Sequence, residues 1–226
     1  NKMNRLLTSG CSFTKHCWNT WAEYLGREYD WHKQLGIGGS DNATIARNVI
    51  SSAKGDDTVV VMWTGYDRWS FYDTKWNHNG SLVSNKDFYT KYYSPYERFV
   101  STMDYVQMVD NHAKINGYTC YHFSAFQWLL SEVHKTIPDG IIDVYSSCDI
   151  SNNHIFPTSL FEFQEHNNEI IPISHKYDDN DIHPTPLTQW KFLNEIIKPS
   201  MGFETQPNVP LDVMKDQSNV INGIIS

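Results

Sequence analysis

The sequence predicts an α/β fold with a mainly parallel sheet covered by helices on both faces. Short apolar runs alternate with helical patterns through the first half of the chain. The strongest run, Thr58-Val59-Val60-Val61-Met62-Trp63, is continuous and β-branched rather than alternating, as expected of a strand buried on both sides. With 226 residues, 40% of them apolar and 19% charged, the chain is long enough to bury one large core.

The elements follow in order. Arg5 to Thr8 reads as the first strand, with Ser9-Gly10 as a turn. From His16 to Glu28, Trp18, Trp21, Ala22 and Leu25 recur at helical spacing. Trp31 to Ile37 is a second strand running into Gly38-Gly39. Ser40 or Asp41 then caps a helix whose inner face carries Ile45, Val49 and Ile50. After the third strand, Thr58 to Trp63, an aromatic and polar stretch from Tyr66 to Tyr96 shows little periodicity and reads as an insertion over about 66–95. Pro95 opens a long helix, Tyr96 to about Ile115, closed by Asn116-Gly117. Tyr118 to Phe123 is a fourth strand and Ala125 to Lys135 a further helix, followed by an irregular region from 138 to 177. Pro184 and Pro186 precede a last helix, Leu187 to Ile197, which Pro199 stops. This makes 1–202 one domain and leaves 203–226 as an arm or tail, placed for subunit contacts.

Composition excludes several classes. The formal net charge of −8 argues against nucleic acid and against an anionic membrane surface as partners. No apolar run approaches the ~20 residues needed to span a bilayer, and no secretory signal precedes the first strand. Cys11, Cys17, Cys120 and Cys148 are scattered without CxxC spacing, so neither a disulfide framework nor a zinc ribbon is expected.

In open parallel sheets the ligand site lies beyond the carboxyl ends of the strands, here residues 8–14, 36–42, 64–70 and 123–127. The first of these loops carries Ser9-Gly10-Cys11-Ser12, a tight turn that presents Ser12 with its N–H towards an oxyanion. The second carries Gly38-Gly39-Ser40-Asp41, where glycine lets the main chain approach a ligand. The third carries Thr64-Gly65-Tyr66-Asp67-Arg68-Trp69. Far along the chain, Asp178-Asp179-Asn180-Asp181-Ile182-His183-Pro184 stands before the last helix and offers a base with a nearby carboxylate.

These four blocks, in this order, resemble the SGNH (GDSL-like) hydrolase family, over residues 5 to about 198. The resemblance implies a flavodoxin-like three-layer α/β/α sandwich and a serine ester hydrolase. It puts the nucleophile on Ser12, with Cys11 where the family has Asp, the general base on His183 and oxyanion donors on Ser12 and Gly39. Two blocks depart from the pattern. Tyr66 stands where the family's third block has an oxyanion Asn, leaving Tyr66, or Thr64 or Arg68, as substitute donor; losing one such donor costs about 10²–10³ in rate. Asn180 stands three residues before His183, so Asp181 becomes the orienting acid, with Asp179 as its alternate.

The aromatic stretch, with Asn, Asp and His between its rings, suits a sugar surface. Trp63, Tyr66 and Trp69 are its expected substrate contacts, and O-acyl (acetyl) groups of a glycan the expected substrate. The second reading is a degenerate, non-catalytic domain that binds glycan or builds an assembly such as a phage particle; shortened blocks with an aromatic insertion are similar to those of bacteriophage-encoded members. Cys11 as nucleophile gives way to structural packing, His16, Cys17 and Cys11 supply too few ligands for a metal site, and Asp178, Asp179 and Asp181 lack the alternation and loop glycine of a calcium site; no metal or other cofactor is expected.

Overall fold

The computed structural model describes residues 4–72, 76–80, 87, 91, 93–126, 158–169, 173–175, 178–181 and 183–224, with backbone alone for 71–72, 76–80, 95–96, 173–175 and 178–181. Strands β1 (Arg5–Gly10), β2 (Trp31–Gln34), β3 (Thr58–Trp63) and β6 (Thr119–Ser124) form one sheet in the order β2-β1-β3-β6. Every pairing in it is parallel. Side chains alternate across β3: Val60 and Met62 enter one core, Val59, Val61 and Trp63 the other. A strand buried on both faces cannot show polar alternation, which is why this run is apolar throughout.

Helices cover both faces. On one lie α1 (Trp21–Gly26), α4 (Leu160–His166) and α5 (Pro186–Phe192), packing Trp21, Leu25, Leu160, Phe163 and Phe192 against Leu6, Val60, Met62 and Phe123. On the other lie α2 (Asn42–Ser52) and α3 (Pro95–Asn116), packing Ile45, Val49, Phe99, Val106 and Val109 against Leu7, Val59 and Val61. This is the three-layer α/β/α arrangement expected from the strand–helix alternation. The chain leaves β1 towards β2 and then crosses to β3 on the other side, so the crevice between the ends of β1 and β3 is the switch point where such sheets bind ligands.

Several elements differ from the sequence expectation. Helix α1 begins at Trp21, not His16, because Thr20 is its N-cap and Thr20 and Glu23 form a capping box; residues 11–20 are consequently a loop. The ladder of β1 runs through Ser9-Gly10, so these residues end the strand and are not a turn. Within the aromatic insertion, β4 (Trp69–Tyr72) and β5 (Trp76–Gly80) form an antiparallel hairpin. Inside the region expected to be irregular, a capping box of Ser159 and Glu162 starts α4, and β7 (Ile173–His175) pairs antiparallel with β8 (Asp178–Asp181). Pro199 does not stop the last helix: α5 continues through a π turn, Leu193–Ile197, and on to Lys198–Ser200. The helix expected from Ala125 to Lys135 lies, from 127 onwards, outside the described residues.

Residues 203–224, within the segment expected as an arm or tail, pack against α1 and α5. Their helix α6 (Leu211–Ile221) buries Val213, Gln217 and Val220. Gln217 Oε1 accepts from the Leu187 N–H at 3.0 Å, and Asp216 accepts from the Asn19 amide and the Tyr24 hydroxyl. No helix among the described residues is long and apolar enough to cross a membrane.

Trp63, expected against substrate, is a core residue with 0% exposure. Its indole N–H donates to His122 Nδ1 at 3.1 Å, and the two rings stack. That bond leaves the His122 proton on Nε2, facing Asp110 Oδ1 at 4.0 Å. Burial pushes the His122 imidazolium pKa down to about 4 despite the opposing pull of Asp110. A histidine held neutral by burial costs stability where the unfolded chain takes up a proton and the fold does not. Stability from this group is therefore intact above pH 6.5, falls as pH drops below it and levels off below about 4. The loss should reach about 3 kcal/mol. Urea unfolding between pH 7 and 4 should show that component in the wild type and not in His122→Asn, whose amide oxygen still accepts from Trp63.

Candidate active site

Ser12 follows β1 on a tight turn in which Cys11 O accepts from the Thr14 N–H at 2.9 Å and the Lys15 N–H at 3.1 Å. Gly10 is the residue that permits this turn. A Cβ there would stand 2.0 Å from Thr14 Oγ1 and 2.8 Å from the Met62 carbonyl oxygen, and the second contact is with backbone of the neighbouring strand. Cys11 points the other way, fully buried in the α1–α5 core, so it does not face the crevice as a nucleophile or a metal ligand.

The structure brings His183 to Ser12. His183 Nε2 lies 2.8 Å from Ser12 Oγ across 171 residues of sequence. The last helix is fastened to the first loop by Gln189, whose amide N–H donates to Phe13 O while its Oε1 accepts from the Trp21 N–H. Trp18 adds a second tie, its indole N–H donating to Pro184 O at 3.0 Å. Phe13 meets the His183 ring edge-on at 5.3 Å between centroids, and His16 stacks on it at 4.3 Å. Thr185 caps α5 immediately after this point, fixing where the chain leaves the loop that carries His183.

The second loop is clamped to the end of β1. Gly10 O accepts from the Ile37 N–H at 3.0 Å and from Ser40 Oγ–H at 3.2 Å. Gly39, between them, has φ +74°, a left-handed conformation that disfavours any side chain. Among the described residues, neither the Ser12 N–H nor the Gly39 N–H donates to a protein acceptor.

Asn42 and Asp41 hold the third loop. The Asn42 amide donates to Thr64 O at 3.1 Å and accepts from the Thr64 N–H at 2.9 Å. Asp41 caps α2 through one oxygen and accepts from the Ser70 N–H through the other. The three substitute oxyanion donors are placed differently. Thr64 is fully buried, with its N–H given to Asn42. The Tyr66 ring turns to the α3 side and meets Phe99 edge-on at 6.3 Å. Arg68 lies over Phe126 at 5.5 Å, and Phe126 in turn packs on Phe13 at 4.7 Å, beside His183. One guanidinium nitrogen of Arg68, Nη1, is buried with no hydrogen-bond partner among the described residues. Asp67 sits next to it, its carboxyl pushed up by burial against the pull of Arg68.

Trp69 is half-buried at the start of β4. The backbone of Asp181 ends β8 two residues before His183, but the side chains of Asp178, Asp179 and Asp181 lie outside the described residues, and with them the choice of acid and the calcium reading. Among the described residues no group of three His, Cys, Asp or Glu is arranged to hold a metal. Sequence reasoning missed Gln189, Asn42 and Trp18 as supports; their signal is a polar or amphipathic residue at a helix or loop position that the apolar pattern assigns to the interior.

Neither a scan against protein-family models nor a search of curated proteins returns a match. Among solved structures the chain is similar to a catalytic mutant of an acetylxylan esterase from Geobacillus stearothermophilus, at 14% identity over 91% of this chain and 97% of that one, with TM-score 0.48. It is also similar to a GDSL-like lipase from Bacteroides thetaiotaomicron, at 14% identity over 88% of each chain and TM-score 0.46. A third is phospholipase A1 from Streptomyces albidoflavus, at 10% identity over 89% of this chain and 99% of that one, with TM-score 0.45.

The Gly10 geometry yields a direct test. Gly10→Ala should destabilise the fold by about 1–3 kcal/mol in urea unfolding. Adding Thr14→Ala should restore only part of it, because the contact with Met62 O persists.

Proposed function

We propose that this chain is a serine ester hydrolase of SGNH type, and the observation that carries the reading is the 2.8 Å approach of His183 Nε2 to Ser12 Oγ. A hydroxyl is a poor nucleophile at its free pKa and needs an adjacent base at hydrogen-bond distance. With its proton on Nδ1, His183 accepts the Ser12 hydroxyl hydrogen through Nε2 as Oγ attacks the ester carbonyl carbon. The oxyanion so formed is held by the N–H groups of Ser12 and Gly39, and by Arg68 in place of the family's Asn. Collapse expels the alcohol, which takes the proton from His183. Water, deprotonated by the same imidazole, then releases the carboxylic acid from acyl-Ser12. Asp181 is the proposed partner of Nδ1.

Arg68 is preferred over Tyr66 and Thr64 because it lies over Phe126, which packs on Phe13 beside His183. The proposed substrate is an O-acyl group, in first place acetyl, on a glycan. It is favoured by the polar, aromatic make-up of residues 66–96, with Trp69 as the proposed contact. The competing reading, a glycan-binding or assembly domain without catalysis, makes the opposite forecast in the same assay.

Hydrolysis of p-nitrophenyl acetate, and release of acetate from an O-acetylated polysaccharide, should be measured in parallel. Ser12→Ala should lower both by about 10³-fold or more; equal rates in wild type and variant would sink Ser12 as the nucleophile. Arg68→Leu should lower kcat by about 10²-fold with little change in KM, whereas Tyr66→Phe should leave kcat near wild type.

A further inference from the structure

We propose that His16 is a positioning residue for the general base, holding the His183 imidazole in the plane from which Nε2 reaches Ser12. This rests on the esterase reading. The two imidazoles stack with centroids 4.3 Å apart and planes 17° from parallel. His16 is itself held: Trp18 meets it edge-on at 4.1 Å, with planes at 89°. Trp18 is buried and donates its indole N–H to Pro184 O, the carbonyl of the residue after His183. The ring of contacts is therefore closed, running from His183 to Pro184, Trp18 and His16 and back to His183. Phe13 bounds the His183 ring from another direction.

The reason such a support matters is torsional. Rotation of a histidine ring about its second side-chain torsion is broad and roughly two-fold, while the bond to Ser12 tolerates little rotation. A flat neighbour in parallel contact removes rotation. It also presents a π face to the imidazolium that forms when His183 takes the serine proton. Any flat ring at position 16 meets the first requirement, whereas alanine meets neither.

The test uses the whole chain and a fluorophosphonate probe, which labels Ser12 only when the serine is activated and needs no knowledge of the substrate. In His16→Ala the labelling rate and kcat for p-nitrophenyl acetate should fall by about 10-fold to 10²-fold, with KM changed far less. In His16→Phe both should return to near wild type. Thermal unfolding of the variants is followed alongside, because a merely structural role moves the melting temperature and leaves the labelling rate of the folded protein alone. Wild-type labelling in His16→Ala overturns the proposal, as does a His16→Phe variant as slow as His16→Ala. A wild-type chain that never reacts with the probe removes the esterase reading and the role of His16 together.

Discussion

The approach of His183 to Ser12 depends first on a buried amide, that of Gln189, with the Trp18 indole as a second tie. The sheet brings the loops after β1 and β3 to one edge, but nothing in a parallel sheet obliges the helix beginning at Pro186 to dock there. Gln189 supplies that obligation by bonding one end of its amide to Phe13 O and the other to the Trp21 N–H. Both partners follow Ser12 in the segment that leads into α1, so the register of α5 is set against that loop. Loss of one such bond strands a buried backbone group as well as freeing the helix, which makes the arrangement unforgiving.

Strand β3 was legible because burial on both faces leaves an unbroken apolar run from Val59 to Trp63, and α5 because Pro184 and Pro186 announce its start. The first helix misled for a specific reason. Trp18 falls in phase with Trp21 and Leu25, yet it belongs to a loop whose burial comes from contact with Val220 and Pro184. The capping signature of Thr20 and Glu23 was present and conflicted with that periodicity; local hydrogen bonding prevailed. Trp63 misled in another way. Its place at a strand's carboxyl end suggested a ligand, but a strand with covered faces turns its last side chain into a core, and only His122, buried far along the chain, reveals where the indole N–H goes. Helix α6 was hidden by its polarity, since its buried face mixes Val213 and Val220 with Gln217, and Asp216 adds hydrogen bonds at its edge.

The candidate site itself was partly legible. Ser12, Gly39 and His183 stand in blocks whose order along the chain matches the order of the strand ends. What no pattern reveals is the side-chain scaffolding around them. A stacked imidazole, an indole bonded to a carbonyl and a guanidinium laid over Phe126 each depend on contacts between distant segments. Their residue types, read singly, fit an ordinary surface loop. Tyr66 and Arg68 show how little the order of residues says about direction: the Tyr66 ring meets Phe99, while Arg68, two residues on, lies over Phe126.

The packing of Val220 against Trp18 ties the beginning of the domain to its far end. Every strand of the parallel sheet is translated before residues 211–221. Until that helix is made, Trp18 lacks its Val220 contact, and the core that holds Trp21 and Phe192 lacks Val213. One helical layer over the sheet is therefore completed by a segment translated well after the sheet itself.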